Sequence, residues 1–134
     1  LALATIDIDK FKNINDTYGH DVGDIAIKEI KKVLDRNLRE YDLVARFGGE
    51  EFCILPEDIT CKDLKNLFER IRVDYEKNII KIDTLEFKYT VSTGIAYGIF
   101  DSLEEMLKIS DEELYKSKEN GRNQVNIKTQ DRRI

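Results

Sequence analysis

The run Leu1-Ala2-Leu3-Ala4-Thr5-Ile6-Asp7-Ile8, continued by Asp9-Lys10-Phe11-Lys12-Asn13-Ile14-Asn15-Asp16-Thr17-Tyr18-Gly19, decides the fold. Leu1, Leu3 and Thr5 alternate with Ala2, Ala4 and Ile6, so both faces of the segment are apolar. That pattern belongs to a strand inside a sheet covered on both sides, with Asp7 at its carboxyl end. Asp9 is placed to cap a short helix running through Phe11 and Ile14 to Tyr18, and Gly19 to stop it. A second helix is expected from about Val22, where Ala26, Ile27, Ile30, Val33, Leu34 and Leu38 form one apolar stripe.

Downstream, Leu43–Phe47 and Phe52–Leu55 read as short strands joined around Gly48-Gly49, a dipeptide suited to a tight hairpin, and Pro56 ends the second. Thr60 caps a third helix marked by Leu64, Leu67, Phe68, Ile71 and Tyr75. Residues 86–100, rich in Thr, Val, Tyr and Ile, hold a hairpin-like strand, and a last helix runs from Ser102 through Met106 and Leu114 to about Asn120. Val125–Ile127 suits a short edge strand. The expected class is α+β, a central, mostly antiparallel sheet flanked by helices in two or three layers. One domain over residues 1–128 and a tail over 129–134, which lacks apolar periodicity, complete the division.

The 134 residues are 41% hydrophobic and 37% charged, with 22 Lys and Arg against 27 Asp and Glu, a net charge of −5. Interspersed charge with regular apolar spacing excludes disorder for most of the chain, and the acidic balance argues against a partner that is a nucleic-acid polymer. It leaves room for a single nucleotide. Cys53 and Cys61 are too far apart for a CxxC pair and there is one His, too few soft ligands for zinc. A reducing, cytoplasmic setting follows, with no apolar run of membrane-spanning length, although a longer parent protein could be membrane-tethered. The chain opens on Leu1 within a strand, as expected of a fragment.

Two constellations carry chemistry. Asp7, Glu50 and Glu51 converge if the first strand lies beside the Gly48-Gly49 hairpin, and such a cluster of carboxylates needs hard cations, Mg²⁺ first and Mn²⁺ second. Taken piece by piece, the same residues read as a strand end and a solvated turn. Lys12 and Asn15 share a helix face, and Lys118 and Arg122 flank a helix end at Gly121. Those cations suit a triphosphate with its metal, and Asp24 can accept from the ring N–H and exocyclic amine of guanine. Each of these residues alone also reads as helix-surface charge.

Four motifs in order, Asp7-Ile8-Asp9-Lys10-Phe11-Lys12-Asn13-Ile14-Asn15-Asp16-Thr17-Tyr18-Gly19-His20-Asp21-Val22-Gly23-Asp24, Arg46-Phe47-Gly48-Gly49-Glu50-Glu51-Phe52, Thr90-Val91-Ser92-Thr93-Gly94 and Leu114-Tyr115-Lys116-Ser117-Lys118-Glu119-Asn120-Gly121-Arg122-Asn123, resemble the GGDEF domain of diguanylate cyclases, in its GGEEF variant. The resemblance implies a palm-like nucleotide-cyclase fold with a ferredoxin-like core. It implies condensation of two GTP into cyclic di-GMP and pyrophosphate at a homodimer interface, downstream of a regulatory or sensor domain outside this chain. On this sequence it implies that Asp7, the carbonyl of Ile8 and Glu50 hold Mg²⁺, with Glu51 at the second metal or near the 3′-hydroxyl as a candidate base. By the same resemblance Gly48 and Gly49 let the nucleotide approach, Lys12, Lys118 and Arg122 bind its phosphates, and Phe11 is a further GTP-binding candidate. Asn15 and Asp24 read guanine, and His20 belongs to a structural turn.

Arg39-Glu40-Tyr41-Asp42 fits the RxxD pattern of the family's product-inhibition site, with Arg70, or Arg72 beside it, as a further arginine. The helix-end Arg and loop Asp are the plainer reading of that pattern. An Asp-x-Leu-Thr turn and helix, usual in the family before the opening strand, does not precede Leu1 in this sequence. The alternative function is a silent module that binds GTP or cyclic di-GMP; an adenylyl-type cyclase is disfavoured by Asn15 and Asp24.

Overall fold

The computed structural model describes residues 1–130. Eleven elements follow one another: β1 (Ala2–Ile8), α1 (Phe11–Tyr18), α2 (His20–Asn37), β2 (Leu43–Arg46), β3 (Glu51–Leu55), α3 (Cys61–Lys77), β4 (Ile80–Ile82), β5 (Leu85–Phe87), β6 (Val91–Gly98), α4 (Leu103–Glu119) and β7 (Val125–Gln130). Five strands form one sheet in the order β2-β3-β1-β6-β7, and β4 with β5 makes a separate hairpin. Every pairing in the large sheet is antiparallel except β6 with β7. This is the α+β arrangement expected, with β1 central and every one of its residues buried.

The two faces of β1 serve two cores. Ala4, Ile6 and Ile8 pack with Ile30, Val33 and Leu34 of α2 and Leu64, Phe68 and Ile71 of α3. Tyr75 and Tyr89 sit in this core because their hydroxyls donate to the carbonyls of Ile30 at 2.7 Å and Ala26 at 3.0 Å. On the other face Leu3, Cys53 and Ala96 meet Met106 of α4, and Thr5 bonds Ser110 at 2.8 Å. Gly94 lets α4 lie directly on β6: a Cβ there would stand 2.1 Å from the Ser110 carbonyl oxygen and the Leu114 nitrogen. Leu43 of β2 is 61% exposed, and on α4 Leu103 is 58% and Tyr115 64% exposed.

Thr60 and Ser102 cap α3 and α4 through their hydroxyls, accepting from the amides of Asp63 at 3.2 Å and Glu105 at 3.1 Å. Asp9 does not cap α1. Lys10 holds the cap position in a left-handed conformation, and the Asp9 carboxylate turns instead to Thr90, Ser92 and Asn123. The second helix begins at His20, immediately after Gly19. Thr129 and Gln130, read from sequence as tail, continue β7 opposite Tyr97 and Gly98, because main-chain pairing at a parallel edge needs no apolar alternation. Residues 131–134 of the expected tail lie outside the described residues.

Candidate functional site

Strand register builds the acidic centre. Phe47 N–H bonds the Glu51 carbonyl at 2.8 Å and Glu51 N–H bonds the Gly48 carbonyl at 3.1 Å, so the hairpin closes on three residues, Gly48, Gly49 and Glu50. Gly48 (φ 55°) and Gly49 (φ 43°) are both left-handed, a conformation that costs most side chains strain. The third loop residue brings Glu51 into β3 directly opposite Asp7 of β1. Two carboxylates thus face each other across adjacent strands, with Glu50 in the loop close enough to act on Asp7.

The environment opposes charge on this pair. Burial, then the neighbouring charge of Asp111 and Asp7, raises the Glu51 carboxyl to about 7. Burial also lifts Asp7 above the ordinary carboxylate range, against the pull of Lys118, whose ammonium donates to Asp7 Oδ2. Asp7 Oδ1 is buried without a hydrogen-bond partner. Among the described residues, no three His, Cys, Asp or Glu side chains gather closely enough to hold an ion by themselves. The donor set nevertheless fits a hard divalent cation: an acceptor with nothing to bond, and two further carboxylates at the same strand ends.

The other expected residues lie in separate groups. Lys12 and Asp24 are exposed on α1 and α2, while Asn15 is tucked against Gly23, where a Cβ would come 1.8 Å from its Oδ1. That Oδ1 is the second buried acceptor without a partner. Phe11 is half-buried at the start of α1. Arg122 lies in the turn after α4, where it lines a cavity of about 500 Å³ with Lys10, Asn13, Thr17, Lys88 and Asn123. None of Asp7, Lys12, Asn15, Asp24, Glu50 or Glu51 lines that cavity. His20 is exposed at the first turn of α2.

Arg39 and Asp42 form an ion pair at 3.0 Å. Burial alone would raise the Asp42 carboxyl, but hydrogen bonds from Arg39 and from the Glu57 amide outweigh it and hold that carboxyl low. Together with Arg70, Asn37, Asp63 and Asn66 the pair lines a cavity of about 300 Å³. Arg72, the other arginine considered, turns away to Glu69, Glu76 and Asn123. Two residues escaped the sequence reading. Asp111 of α4 meets Glu51 on the sheet face that the helix covers, and no spacing signal links the two; Asp9 stands two residues from Asp7, but its position suggested a cap.

Comparison with known proteins fits this geometry. The family model described as "Diguanylate cyclase, GGDEF domain" matches residues 1–124. The chain therefore belongs to the GGDEF family of diguanylate cyclase domains. It is 40% identical over 129 residues to diguanylate cyclase A of Treponema denticola, covering 95% of this chain and 35% of that protein. With the response regulator PleD of Caulobacter vibrioides the identity is 38% over 124 residues, 90% of this chain and 27% of PleD. The chain thus spans about a quarter to a third of the length of the curated relatives it matches.

Among solved structures, the GGDEF domain of DgcB from Caulobacter crescentus in complex with c-di-GMP matches with a TM-score of 0.88 and 34% identity over 94% of this chain and 76% of that one. The active GGEEF domain of a diguanylate cyclase from Vibrio cholerae matches with a TM-score of 0.86 and 30% identity, covering 96% and 83%.

Proposed function

We propose that this chain is the catalytic domain of a diguanylate cyclase, which joins two GTP into cyclic di-GMP with release of two pyrophosphates. The observation that carries the reading is the register that sets Asp7 opposite Glu51, with Asp7 Oδ1 buried and unbonded. Asp7, the Ile8 carbonyl and Glu50 would hold Mg²⁺, with Glu51 at a second ion or at the sugar. Mn²⁺ would meet the same oxygen donors. The bound cation supplies charge neutralisation at the phosphates and lowers the pKa of an oxygen that it contacts. Asn15 and Asp24 hold the guanine, and Lys12, Lys118 and Arg122 neutralise phosphate oxygens. Gly48 and Gly49 keep the turn free of side chains, and Phe11 packs at the start of α1 beneath the nucleotide.

A cyclic product with two identical phosphodiester bonds, made by a protein with one such site per chain, calls for two chains facing each other. In each bond-forming event the 3′-oxygen of one GTP attacks the α-phosphorus of the other, its proton leaving to a base or to water as pyrophosphate departs. Glu51, held near 7 by burial and its acidic neighbours, is poised to take that proton once neighbouring positive charge lowers it. The cavity of Arg39, Asp42 and Arg70 is read as a site for the product, where arginines grip phosphate and the Asp takes a guanine edge. The complex of DgcB with c-di-GMP supports a family affinity for that ligand.

Mass spectrometry of the product formed from GTP and Mg²⁺ tests the central reading. The full-length protein is expected to yield cyclic di-GMP, and Glu51→Ala to yield none while keeping the wild-type circular dichroism spectrum. A folded wild-type protein that binds GTP and leaves it unchanged at concentrations where it dimerises would support the silent binding module instead. Arg39→Ala is expected to weaken cyclic di-GMP binding; equal affinity in mutant and wild type would remove the inhibitory reading.

A further inference from the structure

Asp9 is 7% exposed and, among the described residues, has no cationic side chain bonded to its carboxylate. Its Oδ1 accepts from the Ser92 hydroxyl at 2.5 Å. Its Oδ2 accepts from the Thr90 hydroxyl at 2.6 Å and from the Asn123 backbone amide at 2.9 Å. One side chain at the end of β1 therefore ties together the start of β6 and the turn between α4 and β7. That turn is unusual: Gly121 (φ 114°), Arg122 (φ 65°) and Asn123 (φ 47°) have positive φ in succession, a conformation that non-glycine residues leave unless something holds them. Five holds are visible. Arg122 N–H bonds the Ser117 carbonyl at 2.9 Å, Gln124 Nε2 donates to the Arg122 carbonyl at 3.2 Å, Arg72 donates to Asn123 Oδ1 at 3.1 Å, Asn123 Nδ2 donates to Glu76, and Asp9 takes the Asn123 amide. Only the last is a charged acceptor on main chain, the stronger kind of bond, and it acts one residue from Arg122.

We infer that Asp9 is a positioning residue: by holding the Asn123 amide it fixes the left-handed turn that carries Arg122, which lines one cavity with Lys10 and Lys88. The inference rests on the reading of Arg122 as a phosphate-binding residue. Arg122 makes no side-chain hydrogen bond or ion pair to the described residues, so the backbone alone sets where its guanidinium can reach. On that reading Arg122 contributes to binding of the phosphate chain and nothing to recognition of the base. Loss of Asp9 should then register as a loss that depends on the length of the phosphate chain, which a merely structural role would not produce.

The test compares affinities of the protein for guanosine 5′-[α,β-methylene]triphosphate with Mg²⁺ and for GMP. Asp9→Asn removes the carboxylate charge and leaves one amide oxygen in place of the two acceptors that hold the Ser92 hydroxyl, the Thr90 hydroxyl and the Asn123 amide. Both Asp9→Asn and Arg122→Ala are expected to weaken the triphosphate by about tenfold or more, as for loss of one charged hydrogen bond, and to leave GMP unchanged. Added to Arg122→Ala, Asp9→Asn should cost nothing further. An equal loss on both nucleotides, or a loss that adds to that of Arg122→Ala, would overturn the role given to Asp9. Arg122→Ala without effect on the triphosphate would instead remove the reading of Arg122, and the inference with it. If Asp9→Asn lowers the yield of folded protein, Thr90→Val loosens the same carboxylate. It should show the same preference for loss on the triphosphate, and an equal loss on both nucleotides would overturn the inference as surely.

Discussion

Glu51 shows how one residue's surroundings set a measurable pH dependence. Its carboxyl stands at about 7 in the folded chain against an ordinary value of 4.5, through burial first and then Asp111 and Asp7. Below 4.5 both folded and unfolded chains carry the proton, and the residue contributes nothing. Between 4.5 and 7 the unfolded chain releases it while the folded chain keeps it, so stability falls as pH rises, and above 7 the whole penalty remains. Glu51→Gln is therefore expected to be more stable than wild type above pH 7 by roughly 1–2 kcal/mol, less than the full shift because water still reaches the carboxyl. The difference should vanish at the acidic end. Urea midpoints across this range in metal-free buffer measure it, and parallel curves for the two proteins would contradict it. The same substitution removes the proposed proton acceptor, so a more stable protein with lost activity is the expected pairing.

At the scale of elements, two glycines distinguish packing from access. Gly94 lies under α4, where a Cβ would meet main-chain atoms of Ser110 and Leu114 at 2.1 Å, and neither a strand nor a helix backbone yields easily. Gly94→Ala is expected to destabilise by about 2–3 kcal/mol, read as a lower urea midpoint. A Cβ at Gly49 would have nothing within 4 Å, but the residue sits at φ 43°. Gly49→Ala should cost only about 1 kcal/mol of backbone strain, while reducing product formation far more if the turn faces the nucleotide. Comparable damage to stability from both would argue against that division. The elements themselves were legible where apolar periodicity is strong, as in α2 and α3, and where a hydroxyl cap precedes a helix, as at Thr60 and Ser102. Periodicity was silent where main-chain geometry decides. Asp9 looks like a cap because caps are local, yet its partners Thr90 and Asn123 lie 81 and 114 residues away. The sequence pattern starts the second hairpin strand at Phe52, and only the ladder shows that it begins at Glu51, opposite Asp7, after a loop of three residues. Asp111 meets Glu51 because α4 crosses the sheet, which local sequence pattern does not record.

For the molecule as a whole, the antiparallel sheet with β1 at its centre gathers the acidic groups at one strand end, so each chain has one such centre and one set of guanine-binding candidates. If catalysis takes two chains, the two phosphodiester bonds are formed by different centres: each chain activates the 3′-oxygen of its own GTP against the α-phosphorus held by its partner. A dimer of one wild-type and one Glu51→Ala chain then has a single working centre. It can form the first bond, giving the linear dinucleotide that still carries one triphosphate, and it cannot close the ring. Mixing wild-type protein with about a tenfold excess of Glu51→Ala places most wild-type chains in such mixed dimers if exchange is free. The expected products are an accumulated linear dinucleotide and little cyclic di-GMP, resolved by mass spectrometry over time. Cyclic product formed at a rate proportional to the wild-type chains alone, unaffected by the excess, would mean that a single chain completes both bonds, and the two-chain reading would fall.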